Sequence, residues 1–396
     1  MAGSHVLGTS SQMYRGGDTQ YLDILLTEDC NLRCHYCYLT GKNAVHPMPA
    51  QVARDAVDFF LRMPIPRVGV VWNMIGGEAL IAMGLIEEFA TYFKSRARQL
   101  NHPWRYAYMI MLSTNGVLYD DPRVQKFLFE NRHHVYPGIT IDGTKRKHDM
   151  HRVFPDGRGS YDIVARNIRL ALRQFPYLGT KITFSHADLE YLCESIVHLW
   201  EMGIKDVAAN VVFEDVWEPG DSELFELQLR ELADVALARG FWRTHRCSLF
   251  WEPKVPDSDY NTCGTGKCAS VDWRGDLHAC IRFAEHSLAG SGQSTRPIGN
   301  IYTGFNQGYL RAFKSLRVSL LSPPDCLACD MQDRCIWCSG QCYEEAASDT
   351  IFHRTTTICE MHKSQWRANQ YYWQQLERNH GIKPSGRAAN QQPCLI

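Results

Sequence analysis

The sequence predicts an α/β fold: a strand–helix unit built on a parallel sheet, followed by a small domain organised by cysteines. Three observations carry this. Between about Tyr21 and Leu237, short apolar runs alternate with amphipathic helical runs, the pattern of a parallel sheet with crossover helices. After about Gly240 the alternation stops, and residues 247–360 hold ten Cys among scattered Gly and Pro. So little periodic apolar sequence suits a unit stabilised by bound metal rather than by a large core. Four chemistry-bearing motifs fall just after the first four expected strands, on the edge where α/β barrels place their sites.

Strands are expected over Tyr21–Thr27, Val68–Met74, Tyr106–Ser113, Val135–Asp142, Lys181–Ser185 and Val207–Phe213, each a short apolar run of strand length. Helices between them start near Ala50, Leu85, Pro122, Tyr161, Leu189 and Glu223. In the last, Leu224, Leu227, Leu229, Leu232 and Val235 recur at helical spacing. Six such units leave open whether the sheet closes. A final amphipathic helix is expected over Met361–Leu376, and the tail from Gly381, rich in Pro, Ser, Gly, Asn and Gln, reads as mobile. The expected division is a polar segment 1–20, a strand–helix unit 21–240, a Cys-rich unit 241–378 and a tail 379–396.

Composition narrows the function. The 396 residues are 45% hydrophobic, which suits a globular protein of two or three domains. A net charge of −1 gives no basic excess for a nucleic-acid partner. The first 20 residues are polar, so no secretory signal is expected. No 18-residue apolar run exists, so no membrane span is expected. Cys394 is third from the end, which does not make a prenylation box. Fifteen Cys without a secretory signal point to cluster or metal ligation in the cytoplasm rather than to disulfides. Twelve of them lie in two zones, 30–37 and 263–359. Cys193, Cys247 and Cys394 read as buried or incidental.

Cys30, Cys34 and Cys37 stand in the run Glu28-Asp-Cys-Asn-Leu-Arg-Cys-His-Tyr-Cys-Tyr38. Three thiolates can hold three irons of a [4Fe–4S] cube and leave the fourth iron open to a substrate. Zinc is the plainer alternative, but structural zinc sites match a Cys pair with a second ligand pair. His35, between two of the ligands, is badly placed to supply it. The other motifs are Gly76-Gly77-Glu78-Ala79 after the second strand, Ser113-Thr-Asn115-Gly after the third, and Thr140-Ile-Asp142-Gly143 with His148-Asp149 and Arg152 after the fourth. Taken alone, the first reads as a turn, the second as a type I′ turn and Arg152 as a surface residue. The second Cys zone has Cys263, Cys268, Gly275, Cys280, then Cys326-x₂-Cys329-x₅-Cys335, Cys338, Cys342 and Cys359. A pair of zinc ribbons would use similar spacings.

The first Cys run resembles the signature of the radical S-adenosylmethionine (radical SAM) enzymes, in which an aromatic residue, here Tyr36, precedes the third Cys. The resemblance implies a (β/α)6 partial TIM barrel with a [4Fe–4S] cluster on Cys30, Cys34 and Cys37 and SAM on the open iron. Gly76, Gly77 and Glu78 resemble the motif that holds the SAM amino group, with Ala79 in place of the usual Pro. Ser113 and Asn115 match a segment beside the SAM ribose. Arg152 matches a partner for the SAM carboxylate, while Tyr36, Tyr38 and Asp142 complete the implied cofactor contacts.

The second zone resembles the SPASM extension, which binds two auxiliary [4Fe–4S] clusters. The first would use Cys263, Cys280 and either Cys338 or Cys342, with Cys268 as a further candidate. The second would use Cys326, Cys329, Cys335 and Cys359. The family's ligand position 339 is Ser here, flanked by Cys338 and Cys342. The wider likeness is to peptide maturases that act on precursors with Cys-x-x-x repeats. It implies that a 5′-deoxyadenosyl radical takes a hydrogen from a ribosomally made precursor peptide, leading to a thioether from Cys sulfur to carbon. A flavodoxin- or ferredoxin-type donor would supply electrons. The alternatives are an anaerobic sulfatase maturase that makes formylglycine, a maturase that forms carbon–carbon links, and a non-enzymatic zinc protein.

Overall fold

The computed structural model describes residues 19–42, 45–64, 69–251, 259, 265, 268–332, 335, 337–346 and 348–384. Cys263, Cys394, nearly all of segment 1–20 and the end of the tail lie outside them. Six parallel strands stand side by side in chain order: β1 (Thr19–Leu25), β2 (Gly69–Ile75), β3 (Tyr108–Thr114), β4 (Val135–Thr140), β5 (Gly179–Phe184) and β6 (Asp206–Val211). The helices between them are α1 (Ala50–Arg62), α2 (Met83–Gln99), α3 (Pro122–Glu130), α4 (Lys145–His151), α5 (Tyr161–Gln174), α6 (Leu192–Glu201) and α7 (Asp221–Ala238). All six expected strands and helices are present. Helix α4 is an addition. Its sequence, Lys-Arg-Lys-His-Asp-Met-His, has no apolar period to betray it, and its start is fixed by the Thr144 hydroxyl, which accepts from the Lys147 N–H at 3.4 Å.

The sheet runs further than six strands. β7 (Arg246–Cys247) adds in parallel to β6, and β8 (Ala269–Val271) adds in parallel to the other side of β1. β9 (Asp276–His278), β10 (Pro297–Asn300) and β11 (Gly304–Phe305) continue outward antiparallel. The full order is β11-β10-β9-β8-β1-β2-β3-β4-β5-β6-β7. Because β1 is occupied on both sides, the parallel strands form an open, partial barrel. The five added strands have two to four residues each, too short for alternation to mark them.

Every residue of β2 is buried, as expected of a central parallel strand covered on both faces. Trp72 is packed edge-on by Phe60, Phe89, Phe93 and Trp104 at ring-centroid distances of 5.2–6.0 Å, a favourable geometry for aromatic rings. This anchors β2 against α1 and α2, and with it the Gly-Gly-Glu turn that follows. A long terminal helix, Cys359–His380, packs on α7. It is tied there by Arg367 to Glu226 at 2.5 Å and by the Tyr371 hydroxyl donating to Asp234 at 2.7 Å. Among the described residues, no helix is long and apolar enough to cross a membrane.

Candidate functional site

Cys30, Cys34 and Cys37 lie in the loop after β1, and that loop is clamped on two sides. On one side Gly77 N–H donates to the Thr27 carbonyl at 2.9 Å and Glu78 N–H to the Asp29 carbonyl at 2.8 Å. On the other, Arg33 N–H donates to the Val153 carbonyl at 2.7 Å and His35 N–H to the His151 carbonyl at 3.2 Å. Gly76 and Gly77 are required by the first clamp. A Cβ at Gly76 would meet the Thr27 carbonyl oxygen at 2.3 Å, and one at Gly77 the Asp29 oxygen at 2.2 Å. The backbone that these glycines admit is therefore the chain's own cysteine loop. Burial pushes the Cys30 thiol up to about 11, so its thiolate needs a compensating cation such as iron.

Glu78 is buried and its carboxylate is used internally. It accepts from the Leu80 N–H at 2.9 Å, the Thr114 hydroxyl at 2.7 Å and the Asn115 N–H at 2.7 Å. It thereby ties the end of β2 to the end of β3. Asn115 donates its side-chain amide to Asn31 at 2.6 Å and lies 3.8 Å from the Cys30 sulfur. Thr114-Asn115-Gly116 ends a strand with parallel neighbours, so it is not a hairpin turn. The Ser113 hydroxyl donates to the Asn73 side-chain oxygen at 2.7 Å. Asn73 donates to Asp23 at 2.8 Å, and Ser270 donates to the other Asp23 oxygen at 2.8 Å. This polar row crosses β2, β1 and β8 in register, and Ser113 joins it from β3, two residues beyond Met111, the register partner of Asn73.

Tyr36 donates its phenol to Asp142 and accepts from Arg152 at 2.8 Å. Asp142 is fully buried between two cations, Lys147 and Arg152, each at 3.9 Å. Burial alone would raise its carboxyl, but those two cations hold it below the usual value. Lys147, with no solvent exposure, also reaches Asp188 at 3.1 Å and sits over the Phe184 ring at 4.4 Å. Arg152 is 7% exposed, not a surface residue. Burial opposes its charge, but Tyr36, Cys34 and Asp142 more than offset that and hold it protonated. The Arg152 Nε is buried without a hydrogen-bond partner. A buried guanidinium nitrogen lacking an acceptor is what a bound carboxylate completes, so the residues fit a SAM ligand.

In the second zone, Cys326, Cys329, Cys335 and Cys359 line one cavity, with Arg354 and His362 beside them. Cys280 is buried after β9. Cys338 caps the short helix Ser339–Glu344, its sulfur accepting from the Gln341 N–H at 3.4 Å. Ser339 bonds to Thr265 at 2.8 Å, two residues from Cys263. Cys342 turns the other way, buried against Thr355, whose N–H donates to its sulfur at 3.4 Å. The Cys268 sulfur lies 3.5 Å from the Ala279 carbonyl. Arg282 joins the zones: it stacks 4.4 Å over Tyr38, bonds Glu214 and Gln341 at 2.7 Å each, and its charge is reinforced by Cys338. Among the described residues, no three Cys, His, Asp or Glu side chains converge tightly enough for one metal ion. A zinc would draw its ligands to about 2.0–2.3 Å.

Sequence reasoning missed Lys147, Asp188, Asp23, Arg282, Arg354 and His362. Lys147 carried a signal, as a cation five residues after the strand-end Asp142. The others meet their partners only through the fold.

Residues 24–186 match the model of the radical SAM superfamily. A serine-type anaerobic sulfatase-maturating enzyme of Bacteroides thetaiotaomicron is 22% identical over 361 residues, 81% of each chain. The structure of native anSMEcpe with bound AdoMet and Kp18Cys peptide superposes with a TM-score of 0.69 at 18% identity, over 91% of this chain and 98% of that one. Streptococcus suis SuiB bound to precursor peptide SuiA gives a TM-score of 0.55 at 13% identity, over 87% and 77%. The family uses a [4Fe–4S] cluster and SAM. The three-cysteine loop, the partial barrel and this match together make residues 24–186 a radical SAM domain, the unit shared by the radical SAM enzymes.

Proposed function

We propose that this chain is a SPASM-type peptide maturase that modifies a Cys-containing precursor peptide, forming a thioether from Cys sulfur to a carbon of another residue. The observation that carries the reading is the gathering of Cys326, Cys329, Cys335 and Cys359 around one cavity, apart from the loop of Cys30, Cys34 and Cys37. A radical SAM enzyme that only cleaves SAM has no need of this second set. Cys30, Cys34 and Cys37 would hold the first cluster. Cys263, Cys280 and Cys338 would hold the first auxiliary cluster, with Cys268 as a further candidate. Cys338 is preferred over Cys342 because it faces Arg282, while Cys342 is enclosed against Thr355.

Cluster and SAM together supply a carbon radical strong enough to take hydrogen from an unactivated carbon. The protein's part is position and exclusion of water. Arg152, held by Tyr36 and Asp142, would orient the SAM carboxylate. The backbone of Gly76 and Gly77 and the side chain of Asn115 would line its other side. The precursor peptide and the donor, of flavodoxin or ferredoxin type, are partners in this reading. Support comes from solved relatives whose structures contain peptides.

Formylglycine formation is the second reading, favoured by the sulfatase-maturating relatives. The test is anaerobic incubation of the full chain with SAM, dithionite and synthetic peptides carrying Cys-x-x-x repeats, followed by mass spectrometry. Loss of two hydrogens, with the Cys thiol no longer open to alkylation, supports the thioether. A hydrazine-reactive aldehyde transfers the chain to the second reading. Absence of 5′-deoxyadenosine rejects both.

A further inference from the structure

The cavity of Cys326, Cys329, Cys335 and Cys359 is unusual in the charges beside it. Cys359 opens the long helix Cys359–His380, and His362 follows one turn later on the same face. The His362 Nδ1 lies 3.4 Å from the Cys335 sulfur, within reach for an N–H to a sulfur acceptor. Arg354 arrives from a separate loop and also hydrogen-bonds Cys335. Its other partners are neutral: the Ser322 hydroxyl, and the Trp337 ring at 5.5 Å. Lys363, the other cation lining the cavity, is paired with Glu360 at 2.7 Å. Among the described residues no carboxylate pairs with Arg354, so its charge is left for the thiols.

We propose that Arg354 and His362 are positioning residues that raise the reduction potential of the cluster held by Cys326, Cys329, Cys335 and Cys359. The inference rests on the auxiliary-cluster reading above and goes beyond it. Four thiolates around four irons carry net negative charge, and one-electron reduction adds another. An unpaired guanidinium at one ligand, and an N–H donated to the same sulfur, both stabilise the reduced form over the oxidised one. No bond forms or breaks; one electron enters from the reductant. This cluster would then be more readily reduced than the same four thiolates and irons without the two side chains. It would act as the sink for an electron leaving the substrate side.

The test is an anaerobic, EPR-monitored titration with dithionite on the reconstituted full chain. Cys329→Ser identifies the signal by its disappearance. Arg354→Gln should lower that midpoint by at least a tenfold change in the reduction equilibrium, about 59 mV for one electron. Arg354→Lys should retain most of the potential because the charge remains. His362→Phe should shift it in the same direction by less. An unchanged midpoint in Arg354→Gln at full iron content overturns the proposal. So does loss of the cluster from both Arg354 variants, which would make Arg354 a structural prop. Equal iron in the unaltered chain and Cys329→Ser would instead remove the underlying cluster reading, and the iron count shows this before any potential is measured.

Discussion

Tyr36 owes its place to chemistry that its position before Cys37 does not reveal. Its phenol satisfies Asp142 and Arg152 at once, and both are buried charges that are costly to leave unpaired. Tyr36→Phe should cost about 1–3 kcal/mol, the usual penalty for orphaning a buried polar group, read as a fall in the urea midpoint at constant slope. An unchanged midpoint would mean the phenol is not what holds the pair. His148 is the second residue with a sharp expectation. Its Nδ1 accepts from the Asp142 N–H at 3.1 Å, and its Nε2 faces the Ser160 hydroxyl at 2.9 Å. That hydroxyl is committed as a donor to the Arg152 carbonyl at 2.7 Å. The ring must therefore be neutral, with its proton on Nε2. Burial, reinforced by Arg152, lowers its pKa to about 3. In the unfolded chain the value is about 6.5. The unfolded state thus binds the extra proton first, so stability is full above pH 6.5 and falls as pH drops towards 3. The loss is about 1.4 kcal/mol per pH unit, or about 2 kcal/mol at pH 5. Comparing urea midpoints at pH 7 and pH 5, His148→Gln should remove that much of the difference. Equal pH dependence in both proteins would contradict it.

Among the elements, the cysteine loop and the Gly-Gly-Glu turn act as one unit. The Cys spacing was legible because three thiols in eight residues have few other uses. The turn was legible as a site but not for its reason. No local rule says that Gly76 and Gly77 face the Thr27 and Asp29 carbonyls, since that contact depends on the register of β1 against β2. Ser113 shows the same limit. The resemblance implies a place beside the SAM ribose for it, but not the hydrogen bond of its hydroxyl into the row through Asn73 to Asp23, which only the parallel pairing creates. The clamp makes a prediction. In Gly77→Ala the new Cβ would meet a backbone oxygen at 2.2 Å, so the loop must move. Iron should fall by about four atoms per chain, one cube, while the iron of the second zone remains. Iron content with visible absorbance measures this, and full iron with normal SAM cleavage would show that the loop tolerates the shift.

For the whole molecule, the six strand–helix units were readable because each buries an apolar strand of six or seven residues. What joins the Cys-rich part to them was not, since strands of two to four residues and single long side chains leave no periodic trace. Arg282 is the clearest of these joints. It stands just after Cys280 and is nearly buried. It reaches Glu214 beyond the end of β6, Gln341 on the short helix and the ring of Tyr38 in the cysteine loop. Even its backbone environment is shaped for it: a Cβ at Gly340 would lie 2.5 Å from the Arg282 Cβ. Removing one member of such a pair should cost more than removing both, because the survivor keeps an uncompensated charge. Arg282→Met retains much of the volume and loses the charge, and should destabilise by about 2–3 kcal/mol, less than a fully enclosed pair because Glu214 keeps some solvent. Glu214→Gln should cost less, since its side chain is the more exposed of the two. The double variant should fall short of the sum by about 1–2 kcal/mol, the coupling expected of residues in direct contact. Additive effects in that cycle would mean that the Arg282–Glu214 ion pair does not fasten the Cys-rich part to the barrel, and that the joint rests on the other contacts of Arg282, with Gln341, Glu344 and Tyr38.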